Sequence, residues 1–365
     1  MSTRASGVAA PARGRAATFH PLRVSRVERL TSDAVAVSFD VPGDLAEQYA
    51  FDAGQSLTLR RTVDGSEHRR SYSICSPPGA GLRIGVREIP DGLFSSWLVH
   101  EIAVGDVVEV AAPSGAMRAD ATEGARHLCI AVGSGITPLL SIASAVLSHP
   151  DARVSLLYGN RTSATVMFAE EVADLKNAHP DRVDLVHVLS REPREVELFS
   201  GRLEGDRLRT ILTACVPLAA VDHVWLCGPV AMVEDARAAL AALGVAPERI
   251  HVELFHVDAP PPELHRSSAA VQGERTALTV VLDGRSTTTS TPRTTTLLDA
   301  ARSTRPDVPF ACTGGVCGTC RALVREGEVE MVRNYALEDD EVSAGVVLTC
   351  QTFPLSEAVR VDFDA

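Results

Sequence analysis

Over residues 18–123, apolar and polar positions alternate in short stretches, at 22–30, 34–41, 56–61, 71–75, 82–87 and 107–111. Period-two alternation marks a strand with one buried face. Turn formers separate the stretches: Pro42-Gly43, Asp64-Gly65, Pro77-Pro78-Gly79 and Asp91-Gly92. Many short strands so punctuated predict an antiparallel β-barrel over 18–123. From 124 to 258 the rhythm changes. Apolar strand runs at 127–132, 154–159, 183–189 and 223–226 alternate with helical stretches that include 138–147, 168–177 and 232–243. That order predicts an α/β domain with a parallel sheet, helices on both faces and a ligand at the carboxyl ends of the strands. Residues 259–275 are rich in proline and serine, as a linker would be. Residues 276–365 hold two strands around a threonine-rich turn, a short helix at 296–302, a cysteine loop and a closing strand at 359–362. They predict a small α+β module.

Composition narrows the class. A chain of 365 residues with 45% apolar content supports several packed cores. Its net charge of −12 argues against nucleic acid and anionic membranes as partners, and no apolar run has the length of a membrane span. Of the 35 basic residues all but Lys176 are arginine, as a GC-rich genome would give. Residues 1–17 bear arginine and no acid, which suits an organelle transit peptide. Their proline and glycine and the lack of an amphipathic period favour a disordered tail.

The eight cysteines divide by context. Cys312, Cys317, Cys320 and Cys350 stand as C-x4-C-x2-C with a distant fourth. That is the plant-type spacing for a [2Fe-2S] cluster, a one-electron carrier. Gly314, Gly315 and Gly318 can take positive φ and turn their N–H groups toward cluster sulfurs. Structural zinc more often uses two short ligand pairs, so iron–sulfur is favoured over zinc or a disulfide. Cys75, Cys129 and Cys215 read as small residues of an apolar core in a reducing, cytoplasmic setting.

Upstream, Arg70-Ser71-Tyr72-Ser73 resembles the R-x-Y-S strand of the ferredoxin–NADP reductase superfamily. The resemblance implies FAD, with Arg70 on its phosphates, Tyr72 on the isoalloxazine face and Ser73 at the reactive N5 edge. Ser71 and Arg87 would belong to the same flavin site. Gly92-Leu-Phe-Ser95-Ser96 resembles the second flavin motif of the superfamily, at a helix N-terminus near the pyrophosphate. Gly133-Ser134-Gly135-Ile136-Thr137-Pro138 closes a strand and opens a helix. It is similar to the superfamily's nicotinamide-nucleotide loop, with Thr137 able to cap and Pro138 suited to the first turn. Cys227-Gly228-Pro229 resembles the C-G-P loop beside the nicotinamide ring. Glu253-Leu254-Phe255 resembles the E-x-F whose aromatic, here Phe255, shields the second flavin face. Arg161, Ser190 and Arg191 fall at strand ends where a hydroxyl and arginines suit a ribose 2′-phosphate, and they favour NADPH over NADH.

The order of flavin barrel, nucleotide domain and C-terminal β-grasp ferredoxin resembles the reductase components of multicomponent oxygenases. His68–Cys75, Tyr158–Arg161, His187–Glu192, Asp307–Cys312 and Asn334–Glu338 are most similar to the reductase subunits of phenylacetyl-CoA epoxidases. Ser56, Thr313 and Met117 depart from that pattern, and none is a ligand. The resemblance implies electron flow from NADPH through FAD and the cluster to a diiron oxygenase of phenylacetate catabolism. Another ring-hydroxylating dioxygenase or monooxygenase is the alternative client. The acidic run Glu338–Glu341 would steer docking of a basic partner, or form a solvated loop face.

Overall fold

A computed structural model describes residues 18–90, 92–254, 275–337 and 339–365. The described residues form two compact units, 18–254 and 275–365. In the first, six antiparallel strands build the barrel: β1 (Phe19–Thr31), β2 (Ala34–Asp40), β3 (Ser56–Val63), β4 (Ser66–Ser73), β5 (Leu82–Arg87) and β6 (Val107–Ala111). Their order is β4-β3-β6-β1-β2-β5, and an Ile74–Ile84 bridge just past β4 closes the ends. Leu22, Val37, Leu59, Ile84, Val86 and Val110 point inward and are fully buried. Strand β4 begins five residues earlier than expected and stops two residues sooner. Asp64 and Gly65, at φ of 50° and 75°, form a tight turn matched to strand twist and set the register from Val63↔Ser66 to Ser56↔Ser73. Pairing, not hydrophobicity, makes Ser-Glu-His-Arg-Arg-Ser-Tyr-Ser a strand. A short helix, α1 (Ser95–His100), precedes β6.

The same unit carries a five-stranded parallel sheet. Its strands are β7 (Arg126–Val132), β8 (Arg153–Asn160), β9 (Val183–Leu189), β10 (His223–Gly228) and β11 (Ile250–Leu254), in the order β11-β10-β7-β8-β9. Around them lie α2 (Ile136–Val146), α3 (Ala169–Ala178), α4 (Gly205–Cys215) and α5 (Val230–Ala242). The chain runs outward from β7 to β8 and β9, then returns to β10 on the other side of β7. The crevice between the carboxyl ends of β7 and β10 is therefore the switch point where ligands bind in such sheets. Strand β11 and helix α4 add to the elements read from the sequence. Cys227 and Gly228 lie within β10 instead of in a loop after it.

The second unit contains β12 (Arg275–Leu282), β13 (Arg285–Pro292), α6 (Leu297–Arg302), β14 (Arg321–Glu326), β15 (Val329–Met331), α7 (Asp339–Ser343), β16 (Val346–Leu348), β17 (Thr352–Pro354) and β18 (Ala358–Asp362). A mixed sheet runs β13-β12-β18-β14-β16, with β12 and β18 parallel, and β15 pairs β17. Thr296 caps α6 by accepting from the Asp299 N–H at 3.1 Å. Leu297, Leu298, Ala300 and Ala301 of α6 join Leu278, Val280 and Val361 in a core against which the cysteine loop folds.

Candidate functional site

The glycine turn after β7 is built for close approach. A Cβ on Gly135 would stand 2.1 Å from the Cys227 carbonyl oxygen, so only glycine lets this turn lie against the end of β10. The Tyr158 hydroxyl donates to the Gly133 carbonyl at 3.1 Å, and the Thr137 hydroxyl donates to the Ser134 carbonyl at 3.0 Å. Thr137 thus braces the turn and does not cap α2, while Pro138 occupies the first turn as expected. Gly135→Ala is expected to cost about 1–3 kcal/mol by overpacking against backbone that cannot move aside. It should weaken nucleotide binding as well, and thermal melting with a nucleotide titration would check both.

Ser73 ends the flavin strand and reaches the nucleotide sheet. Its hydroxyl donates to Glu253 Oε2 at 2.9 Å, and Glu253 is paired in register with Cys227. Burial pushes the Glu253 carboxyl up to about 7, against a smaller lowering from the Ser73 hydroxyl. Burial, then the nearby Glu253 charge, holds the Cys227 thiol well above its ordinary value, so it stays a neutral thiol. Ser73, Glu253, Cys227 and Gly135 thus form one cluster across the barrel and the sheet. The sequence did not single out Glu253, although it stands in the quoted Glu-Leu-Phe triplet. Phe255 lies outside the described residues.

Farther back along β4, the Ser71 hydroxyl meets that of Thr58 at 3.2 Å, while Tyr72 packs 6.2 Å from Phe94, which in turn meets Trp97 edge-on. Burial raises the Tyr72 phenol far above its usual range. Arg70 is exposed and has no acidic partner among the described residues, donating only to the Arg69 carbonyl at 2.7 Å. A free guanidinium beside a packed tyrosine fits a flavin with its phosphates. Gly92 accepts from the Ser96 N–H at 3.0 Å, and the Ser95 hydroxyl accepts from the Ile89 N–H at 3.0 Å. The Ser95 hydroxyl is therefore already engaged within its own turn.

The strand ends of β8 and β9 meet through main-chain bonds: Ser190 N–H to Asn160 O at 2.9 Å and Arg191 N–H to Arg161 O at 2.7 Å. Glu192, the acid that follows, accepts from the Ser163 N–H and hydroxyl at 2.8 and 2.9 Å. Arg161 donates to Asp33 Oδ2 of the barrel at 2.8 Å. Arg87 also faces this side. It donates to the Thr165 carbonyl, lies 3.5 Å from Asp33 Oδ1, and its Nη1 would stand 3.1 Å from a Cβ on Gly133. The structure thus sets Arg87 beside the nucleotide turn, although the sequence grouped it with the flavin residues. Pro229 is the N-cap residue of α5, next to Gly228.

In the second unit the four cysteine thiols meet as two pairs, Cys312 with Cys317 and Cys320 with Cys350. The Gly314 N–H donates to Cys312 Sγ at 3.3 Å, and Gln351 Nε2 donates to Cys350 Sγ at 3.6 Å. The Cys312 thiol is pulled down by the Cys317 thiol and by the N–H groups of Gly314, Val316 and Cys317; the Cys350 thiol is lowered chiefly by Cys320. Gly315 and Gly318 take positive φ, at 82° and 65°, as expected. Gly314 does not, and Thr313 does instead, at 52°. Two thiol pairs met by N–H donors suit a two-iron cluster better than one tetrahedral zinc. In the nearby acidic run, Glu341 pairs with Arg321, and Glu338 lies outside the described residues.

Comparisons with known proteins agree with this division. The oxidoreductase FAD-binding domain matches residues 21–118, the oxidoreductase NAD-binding domain 129–238, and the 2Fe-2S iron-sulfur cluster binding domain 280–355. A component of the 1,2-phenylacetyl-CoA epoxidase of Escherichia coli is 42% identical over 95% of this chain and 98% of its own. The chain belongs to the FAD- and [2Fe-2S]-containing oxygenase reductases. This reductase is also 33% identical, over 94% of its length and 96% of the relative's, to the ferredoxin reductase component of a 3-ketosteroid-9-alpha-monooxygenase from Rhodococcus rhodochrous. Its fold is similar to that of phthalate dioxygenase reductase, with a TM-score of 0.60 and 25% identity over 94% of this chain and 98% of that one. Among the described residues of the reductase, no helix is long and apolar enough to cross a membrane.

Proposed function

We propose that this reductase takes electrons from NADPH and delivers them singly to the diiron oxygenase of a phenylacetyl-CoA epoxidase in the cytoplasm. The observation that carries the reading is the Ser73–Glu253 hydrogen bond beside Cys227, which brings the flavin strand to the switch point of the nucleotide sheet. Full-length similarity to a component of such an epoxidase supports the client. Residues 18–123, 124–258 and 276–365 serve as flavin, nucleotide and ferredoxin domains, with 259–275 as the linker.

FAD supplies a two-electron acceptor for hydride, and the [2Fe-2S] cluster supplies a one-electron carrier. Arg70 holds the flavin phosphates, Ser71, Ser95, Ser96 and Gly92 line the flavin chain, and Tyr72 packs on the ring and excludes water. The Ser73 hydroxyl, which donates to Glu253, would offer its oxygen to the edge that receives hydride. Gly133, Ser134 and Gly135 admit the nucleotide pyrophosphate, Thr137 and Pro138 fix the turn, and Arg87 adds positive charge beside it. Cys227, Gly228 and Pro229 pack the nicotinamide. Arg161, Ser190 and Arg191 meet the ribose 2′-phosphate; Glu192, bound to Ser163, is not offered to a bare ribose hydroxyl. Cys312 and Cys317, and Cys320 and Cys350, would hold the cluster as two thiolate pairs.

Anaerobic stopped-flow mixing with NADPH or NADH tests the reading. NADPH is expected to bleach the flavin bands first and the cluster bands next, faster than NADH at equal concentration. Adding the epoxidase oxygenase with phenylacetyl-CoA should then reoxidise both. Equal or faster reduction by NADH would overturn the nucleotide preference. Reoxidation only by a ring-hydroxylating dioxygenase or another monooxygenase would overturn the client.

A further inference from the structure

Arg161 is held from outside its own domain. Asp33 lies in the turn from β1 to β2, and its Oδ2 accepts from Arg161 Nη2 at 2.8 Å. The other oxygen, Oδ1, accepts from the Thr31 hydroxyl at 2.7 Å and lies 3.5 Å from Arg87 Nε. A barrel carboxylate, oriented by its own turn, thus sits between two arginines at the mouth of the nucleotide site. Burial pushes the Asp33 carboxyl up, but the Thr31 hydroxyl and the charges of Arg87 and Arg161 outweigh it, and the group stays ionised. The Arg161 side chain is 48% exposed, and Asp33 is its one side-chain partner shown among the described residues.

We infer that Asp33 sets how strongly the nucleotide site favours a phosphorylated ribose. Its carboxylate is an anion already seated on Arg161, and a 2′-phosphate must share that cation with it. A ribose bearing a free 2′-hydroxyl meets no such competition. The inference rests on the assignment of Arg161 to the 2′-phosphate. Because Arg161 is half exposed and the pair is screened by solvent, the effect is graded, not all-or-none. Asp33 acts through Arg161 and is a positioning residue.

The test compares 2′,5′-ADP with 5′-AMP, which differ only in the 2′-phosphate, binding to the FAD-loaded full-length protein by titration calorimetry. Asp33→Asn keeps the shape and the acceptor of the turn while removing its charge. It is expected to raise the preference for 2′,5′-ADP over 5′-AMP roughly threefold, any gain through Arg87 beside the pyrophosphate being common to both ligands. Arg161→Ala should lower the preference, and in the double variant the gain from Asp33→Asn should vanish. Asp33→Ser serves if the amide variant melts too low to be loaded with FAD. If Arg161→Ala lowers the preference but the Asp33 variants leave it unchanged, reduce it, or shift both ligands equally, the role of Asp33 is overturned and the Arg161 assignment stands. If Arg161→Ala itself leaves the preference unchanged, the assignment falls and the inference with it.

Discussion

Replacing Cys317 by serine is expected to leave a protein that still accepts electrons from a nicotinamide nucleotide but can no longer pass them on. Each iron of a [2Fe-2S] cluster needs two thiolates, and Cys317 is paired with Cys312, so its loss strips one iron of half its protein ligands. A serine hydroxyl is a far poorer ligand at neutral pH, because its proton is held much more tightly than a thiol's. The purified variant should show flavin bands without iron–sulfur absorption, and iron and sulfide analysis should fall to near zero. Ferricyanide, which can draw electrons from the flavin, should still be reduced. Transfer to the oxygenase should be abolished. Cys129→Ser makes the contrast: Cys129 is fully buried in the parallel-sheet core, away from any ligand set. That change should cost about 1–3 kcal/mol for burying a hydroxyl and leave the iron content intact. Undiminished cluster bands in Cys317→Ser would overturn the ligand assignment.

What could be read along the chain follows the range of the interactions involved. The cysteine spacing and the turn Gly133–Pro138 are local in sequence, so their chemistry shows in the order of residues alone. Period-two alternation revealed β5 and β6 at their true limits, because each buries one face on the barrel core. It misplaced β4, whose polar residues are held by pairing with β3 through the Asp64-Gly65 turn. Strand β11 is only partly buried except at Leu254, and gives little hydrophobic signal. Glu253 and Asp33 escaped notice for a stronger reason. Glu253 acts on Ser73, 180 positions away, and Asp33 on Arg161, 128 positions away. Nothing near Asp33 distinguishes it from a solvated acid, and in the Glu-Leu-Phe triplet the aromatic, not Glu253, carried the expected role. The Arg87 side chain shows the same limit: its strand was legible, but which neighbour its guanidinium would meet depends on how the barrel packs on the sheet. At the cysteine loop the need for positive φ was legible, but not that Thr313 would take it in place of Gly314.

Glu253→Gln is expected to remove a loss of stability that the wild-type protein suffers as the pH rises from about 4.5 to about 7. Burial is the cause, partly offset by the Ser73 hydroxyl, and it raises the carboxyl from 4.5 to about 7 in the folded state. Between those values the folded protein keeps a proton that the unfolded chain releases, so folding is favoured on the acid side and weakened as that proton leaves. At about 1.4 kcal/mol per pH unit, the full window is worth up to about 3 kcal/mol. Glutamine keeps an oxygen to accept from Ser73 and has no proton to lose. Denaturant melts of FAD-loaded protein at pH 5 and pH 8 should therefore show the variant gaining on the wild type at the higher pH and not at the lower. The same ionisation lies one hydrogen bond from the hydroxyl assigned to the hydride-accepting edge. Flavin reduction by the nicotinamide nucleotide should accordingly lose a pH dependence centred near 7 in the variant. Parallel stability curves for the two proteins across this window would mean that Glu253 is ionised throughout, and the neutral acid behind Ser73 would be ruled out.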